Sequence, residues 1–202
     1  MVNHMKKICM IAFIVMLFSA PSVFALSEAF MDNVYDPGQL KPFDSKLKVK
    51  VGDKAPDFTL PSISSGKVSL NQYLGKKNVV ISFVPAAWTP VCSDQWPGYN
   101  IAQPYFEEND AVLLGITVDN IPTLFSWTRE MGGLWFPVLS DFWPHGKTAD
   151  SFGVLRSDGV AERALIFIDK NGIITAIHVE NINVRPKLET IVEELKKMNT
   201  AK

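Results

Sequence analysis

Hydrophobic residues fall into two patterns along this chain, unbroken runs of strand length and helical stripes, and the two alternate. Residues 78–84 (NVVISFV) and 111–119 (AVLLGITVD) are near-continuous apolar runs, as buried central strands require. Shorter runs at 57–62, 67–70 and 136–141 predict further strands, the first two joined by a Ser/Gly turn at 62–66. Residues 162–169 and 173–180 flank Lys170-Asn171-Gly172, and an Asn-Gly pair between two β-rich runs predicts a hairpin. Helical signals lie at 92–108, at 121–132 with Pro122 in the first turn, and in a turn or two at 146–153. A last helix from Pro186 places Leu188, Ile191, Val192 and Leu195 on one stripe. Residues 26–50 carry Pro37, Gly38 and Pro42 with no sustained period and read as an arm running into the domain.

Alternating strands and helices, then an antiparallel hairpin and a closing helix, predict an α/β protein with a mixed central sheet flanked by helices. A thioredoxin-like three-layer α/β/α sandwich fits this order; a flavodoxin-like sheet fits less well, because antiparallel strands come late. With 202 residues the chain suits one sizeable core, assigned to 51–202.

Composition changes the picture mainly at the N-terminus. Lys6 and Lys7 precede a short apolar run at 8–20, and SVFA ends in small residues. That reads as a secretory signal peptide at 1–25, cleaved after Ala25, with an uncleaved anchor as the alternative. The expected location is therefore exported, periplasmic or extracellular. Cleavage leaves 18 basic against 21 acidic residues, so net charge moves from −1 to −3. No Lys/Arg stripe marks the mature chain, which argues against a nucleic-acid partner. Cleavage also removes Cys9, leaving Cys92 solitary and without an intramolecular disulfide.

Around Cys92 the chain reads VPAAWTPVCSDQW. The strand ends at Val84-Pro85; Thr89 then fits an N-cap and Pro90 the first helical position, which puts Cys92 at the third. A thiolate there faces free backbone N–H groups and the positive end of the helix dipole, so its pKa is expected to fall. The alternative is an inert buried cysteine.

PAAWTPVC matches the P-x-x-x-T-x-x-C signature of the peroxiredoxins at Pro85, Thr89 and Cys92. VGDKAPDFTLPS resembles the opening of that family's domain, and AERALIFIDKNGII its R-x-x-x-F-I-I-D-x-x-G segment, at Arg163. LSDFWPHGKTADSFGV is similar to the alkyl hydroperoxidase E branch. The resemblance implies a thiol peroxidase. Cys92 would attack the O–O bond and become sulfenic acid. Thr89 would accept from the peroxide and donate to the thiolate. Arg163 would stabilise charge on sulfur and oxygen, and Pro85 would roof the pocket. Trp88, Gln95 and Trp143 are candidate pocket residues, with Trp96 and Phe142 as further aromatics; Gln95 stands where many members carry Glu. With no resolving cysteine, the chain resembles a one-cysteine member. It would need a peroxide substrate, an external thiol reductant (a thioredoxin, a glutaredoxin or a small thiol) and no cofactor or metal, and would form a homodimer or larger assembly.

Arg129 and Arg156 are weaker candidates for a second cation near the thiol. His145 and His178 have no metal-ligand spacing. Two rival functions remain: a disulfide oxidoreductase, which normally needs C-x-x-C where this chain has Cys92-Ser93-Asp94-Gln95, and a non-catalytic redox-sensing or partner-binding module.

Overall fold

The computed structural model describes residues 28–64 and 66–200; the expected signal peptide, with Cys9, lies outside them. Seven strands form one sheet: β1 (Thr59–Ser62), β2 (Gly66–Ser69), β3 (Asn78–Phe83), β4 (Ala111–Thr117), β5 (Val138–Ser140), β6 (Arg163–Ile168) and β7 (Ile174–Glu180). Their order is β2-β1-β5-β4-β3-β6-β7. β3, β4 and β5 are parallel, and the other pairings antiparallel. The helices are α1 (Glu28–Met31), α2 (Pro90–Gly98), α3 (Gln103–Glu108), α4 (Ile121–Glu130), α5 (Lys147–Phe152) and α6 (Leu188–Thr200).

Side-chain alternation along the strands divides the core in two. Val80, Leu165 and Phe167 join Trp96, Phe106, Leu124, Trp127, Ile191 and Leu195, the buried stripes of α2, α3, α4 and α6. Val79, Ile81, Phe83, Ile166 and Ile168 face the other way, toward Phe58 and Phe152. This is the mixed, thioredoxin-like three-layer sandwich expected from the element order, with β3 and β4 buried as their apolar runs require. The 170–172 turn is a hairpin loop. Gly172 takes a left-handed φ of 82°, and the Asp169 carboxylate accepts the N–H groups of Asn171 and Ile173, each at 2.9 Å.

Three elements differ from the sequence pattern. The helix expected at 92–108 is broken into α2, a 3-10 turn (Tyr99–Ala102) and α3; Pro97 sits inside α2 and a second proline opens α3, and each lacks the N–H an unbroken ladder needs. Pro186 lies just before α6 rather than in its first turn. The arm contains α1, whose Phe30 is buried in the same cluster as Cys92 and Trp96; four residues are too few to show a helical period.

Candidate active site

β3 delivers the chain to the site and β6 supplies the cation. The antiparallel register pairs Phe83 with Ala164, so the residue after β3 lies beside Arg163 at the start of β6. Arg163 shares its strand face with Leu165 and Phe167, which belong to the cluster that holds Cys92. Register and alternation therefore bring together two residues distant in sequence: Arg163 Nη2 lies 3.5 Å from Cys92 Sγ.

Cys92 occupies the third position of α2, after Thr89 as N-cap residue and Pro90. The first ladder bond of the helix is Ser93 N–H to Thr89 O, at 2.9 Å, which leaves the N–H groups of Val91 and Cys92 outside the ladder. Thr89 has the extended backbone of a cap, but its hydroxyl does not cap. It donates to Ala86 O at 2.9 Å, so the expected donation to sulfur is not present. The loop before the helix is tied to β4: Ala87 N–H donates to Asp119 Oδ2 at 2.8 Å, and Thr117 Oγ1 donates to the same oxygen. Sequence reasoning did not single out Asp119; its position just past a buried strand was the available signal.

Arg163 is buried, and its contacts are to neutral acceptors. Nε and Nη2 donate to Ile182 O at 3.1 and 2.9 Å, and Nη1 donates to Gln95 Oε1. Gln95 is fully buried and its amide donates to Tyr99 Oη at 2.8 Å and Ser82 Oγ at 3.3 Å. Trp96 Nε1 donates to Ser82 Oγ at 3.2 Å. Burial pushes the Tyr99 phenol up from its ordinary value, so it stays neutral beneath the cation. Gln95 thus fixes the guanidinium from below rather than lining the pocket.

A cavity of about 440 Å³ opens over this floor, lined by the arm at 35–40, by 85–86 and 89–91, and by Asp158, Val160, Arg163, Ile182 and Asn183. Pro85, Thr89 and Arg163 border it, while Cys92 is fully buried beneath. Trp88 and Trp143 are not among the lining residues. Trp88 packs against Phe30 with ring centroids 5.4 Å apart, and Trp143 is 81% exposed on the loop before α5. Trp96 packs at 5.1 Å on Trp127, and Phe142 is half exposed. Arg129 is exposed on α4. Arg156 is buried but bound to Glu162 at 2.9 Å and Asp158 at 3.2 Å. His145 Nε2 meets Gly159 O at 2.6 Å; His178 faces Glu194 at 3.5 Å. Among the described residues no His/Cys/Asp/Glu group is arranged for a metal, and Cys92 is the one free cysteine.

The AhpC/TSA family pattern matches residues 51–177. The chain is similar to alkyl hydroperoxide reductase E of Mycobacterium tuberculosis (strain ATCC 25618 / H37Rv), 39% identical over 127 residues, covering 62% of this chain and 82% of that protein. It is 36% identical over 158 residues to the chloroplastic 2-cysteine peroxiredoxin of Chattonella marina var. antiqua, covering 72% and 80%. In structure it resembles the reduced 2-Cys peroxiredoxin of Plasmodium vivax, with a TM-score of 0.71 and 30% identity over 75% of this chain and 83% of that one.

Proposed function

The chain belongs to the AhpC/TSA family of thiol-dependent peroxidases, the peroxiredoxins, and from that premise we propose that it reduces peroxides with Cys92 as its single attacking thiol and an external thiol as its reductant. The observation that carries this reading is the 3.5 Å approach of the buried Arg163 guanidinium to Sγ at the start of α2. The thiolate attacks the terminal oxygen of ROOH, and the S–O bond forms as the O–O bond breaks. Sulfur is oxidised by two electrons to Cys92–SOH, while the leaving RO⁻ takes a proton and departs as ROH. Negative charge spreads over sulfur and both oxygens in that step. Arg163, held by Gln95 and Ile182 O, meets it without rearranging, and the Val91 and Cys92 N–H groups add donors at the helix start. Thr89, whose proton goes to Ala86 O, keeps lone pairs for the peroxide O–H. Pro85 closes one side of the cavity.

Recycling needs two thiols. One condenses with Cys92–SOH, releasing water and forming a mixed disulfide; the second displaces Cys92 as thiolate. A solitary Cys92 among the described residues supports an external donor. The Lys6-Lys7 start, the apolar run at 8–20 and the small-residue end at SVFA support an exported protein whose leader ends at Ala25, and family membership supports assembly as a homodimer or larger oligomer. The test is single-turnover reaction with hydrogen peroxide. The wild-type chain is expected to gain one oxygen at Cys92, trappable by a sulfenic-acid reagent, and the Cys92→Ser protein to consume no peroxide. Undiminished turnover by that variant would overturn the reading. A purified protein beginning elsewhere than Leu26 would overturn the leader assignment.

A further inference from the structure

The arm lies outside the region matched by the family, yet it builds one wall of the peroxide cavity. Resting on the peroxidase reading of Cys92, we propose that residues 35–42 are a specificity-determining wall that selects uncharged, apolar hydroperoxides over those carrying a carboxylate.

The wall is fastened rather than draped. Leu40 N–H donates to Asn183 Oδ1 at 2.9 Å and Asn183 Nδ2 donates back to Leu40 O at 2.8 Å, a two-way clamp between segments far apart in the chain. Tyr35 N–H donates to Trp88 O at 2.7 Å, tying the other end to the loop that precedes α2. Just past the clamp, Ile182 serves both sides: its N–H donates to Pro42 O at 3.2 Å, and its carbonyl accepts from Arg163 Nε and Nη2. The same short loop therefore positions the cation and the arm.

Volume and charge then define what fits. Water takes roughly 30 Å³ in the liquid, so a cavity of about 440 Å³ exceeds what hydrogen peroxide needs by roughly an order of magnitude. Much of its lining is apolar, including Pro37, Leu40, Pro85, Val91, Val160 and Ile182. The one cation in the lining is Arg163, at the floor where the O–O bond must sit. The acids are Asp158, bound to Arg156, and Asp36 on the arm, which accepts Gly38 N–H at 2.8 Å. Asp36 is exposed at the open side of the cavity, so a tail carboxylate would meet it there without a basic partner, a repulsion that solvent screens but does not cancel.

Rate constants for hydrogen peroxide, cumene hydroperoxide and a fatty-acid hydroperoxide, followed in the full chain by single-turnover tryptophan fluorescence, test this. The wild type is expected to favour cumene hydroperoxide over the fatty-acid species. Asp36→Lys should shift that ratio about threefold toward the carboxylate-bearing substrate, a change of one exposed charge beside the cavity from −1 to +1. Asn183→Ala should lower the ratio of cumene hydroperoxide to hydrogen peroxide about tenfold by loosening the apolar wall. Ratios within about twofold of wild type in both folded variants, or a wild type that favours the fatty-acid hydroperoxide, would overturn the proposal. If Asn183→Ala unfolds, the Asp36→Lys ratio decides alone. Peroxide consumption by Cys92→Ser would instead remove the peroxidase reading beneath it.

Discussion

Arg156 and Arg163 are both buried, close in sequence, and set against different partners. Arg156 faces two carboxylates, at 2.9 Å from Glu162 and 3.2 Å from Asp158. Burial works against its charge, but hydrogen bonds to Glu162 and Asp158 outweigh that and hold it more firmly protonated than usual. Arg163 donates to a backbone carbonyl and to the neutral Gln95, and among the described residues no ion pair with a carboxylate is present. The first charge is neutralised within the fold; the second is anchored in place but left to meet an anion. One arginine holds structure, and the other is positioned for chemistry.

Replacing each arginine breaks the comparison most sharply. Arg163→Met should lower the rate constant for peroxide about 10²- to 10³-fold, the loss typical of removing one preorganised donor, measured by single-turnover fluorescence. Arg163→Lys should recover only part of it, because an ammonium cannot serve Gln95, Ile182 O and Sγ at once. Arg156→Met should instead destabilise the fold by about 3 kcal/mol, leaving Glu162 charged and buried, with the rate constant of the folded fraction within about threefold of wild type. Denaturant titration separates these outcomes; a large kinetic loss in Arg156→Met would erase the distinction.

Gln95→Leu sharpens it. The variant keeps Arg163 but removes its lower anchor and the amide donor to Tyr99 and Ser82, so about a tenfold slower reaction with roughly 1–3 kcal/mol lower stability is expected. A slower reaction at constant stability would mean that Gln95 matters to Arg163 alone.

The smallest effect concerns pH, on the side of the molecule where Arg156 holds structure. Hydrogen bonds from Lys41 and then Ser157 pull the Asp44 carboxyl well below its ordinary value. A depressed folded-state pKa contributes stability that is present above the unfolded value and lost as pH falls through the folded one. Protease sensitivity of the arm should therefore stay flat above the ordinary carboxylate range and rise only in strong acid. A rise centred near neutral pH would point to another group.

Much of this site could be read from the chain. The strand-Pro85-Thr89-Pro90 order placed Cys92 in the first turn, and the hairpin run around Gly172 placed Arg163 at a strand start. Local pattern covers those features because each depends on neighbours within a few residues. It did not cover the arm, whose anchors pair Leu40 with Asn183 and Asp44 with Glu162 and leave no period to count. Nor could it tell which ring lines a pocket: Trp88 and Trp143 share composition with the site but not its surface, and Gln95 lies under the cation instead of beside the substrate.

The Leu40–Asn183 clamp also orders the protein's assembly in time. Its two halves are 143 residues apart, and the arm is synthesised first. The arm must wait, undocked, until β7 and the turn after it exist, since loop closure over that span precedes any contact that rewards it. A chain interrupted between the end of β7 at Glu180 and Asn183 contains all seven strands and still lacks the finished wall over Cys92. The cavity is in this sense a late checkpoint of synthesis: its closure reports that the chain has been made at least as far as Asn183.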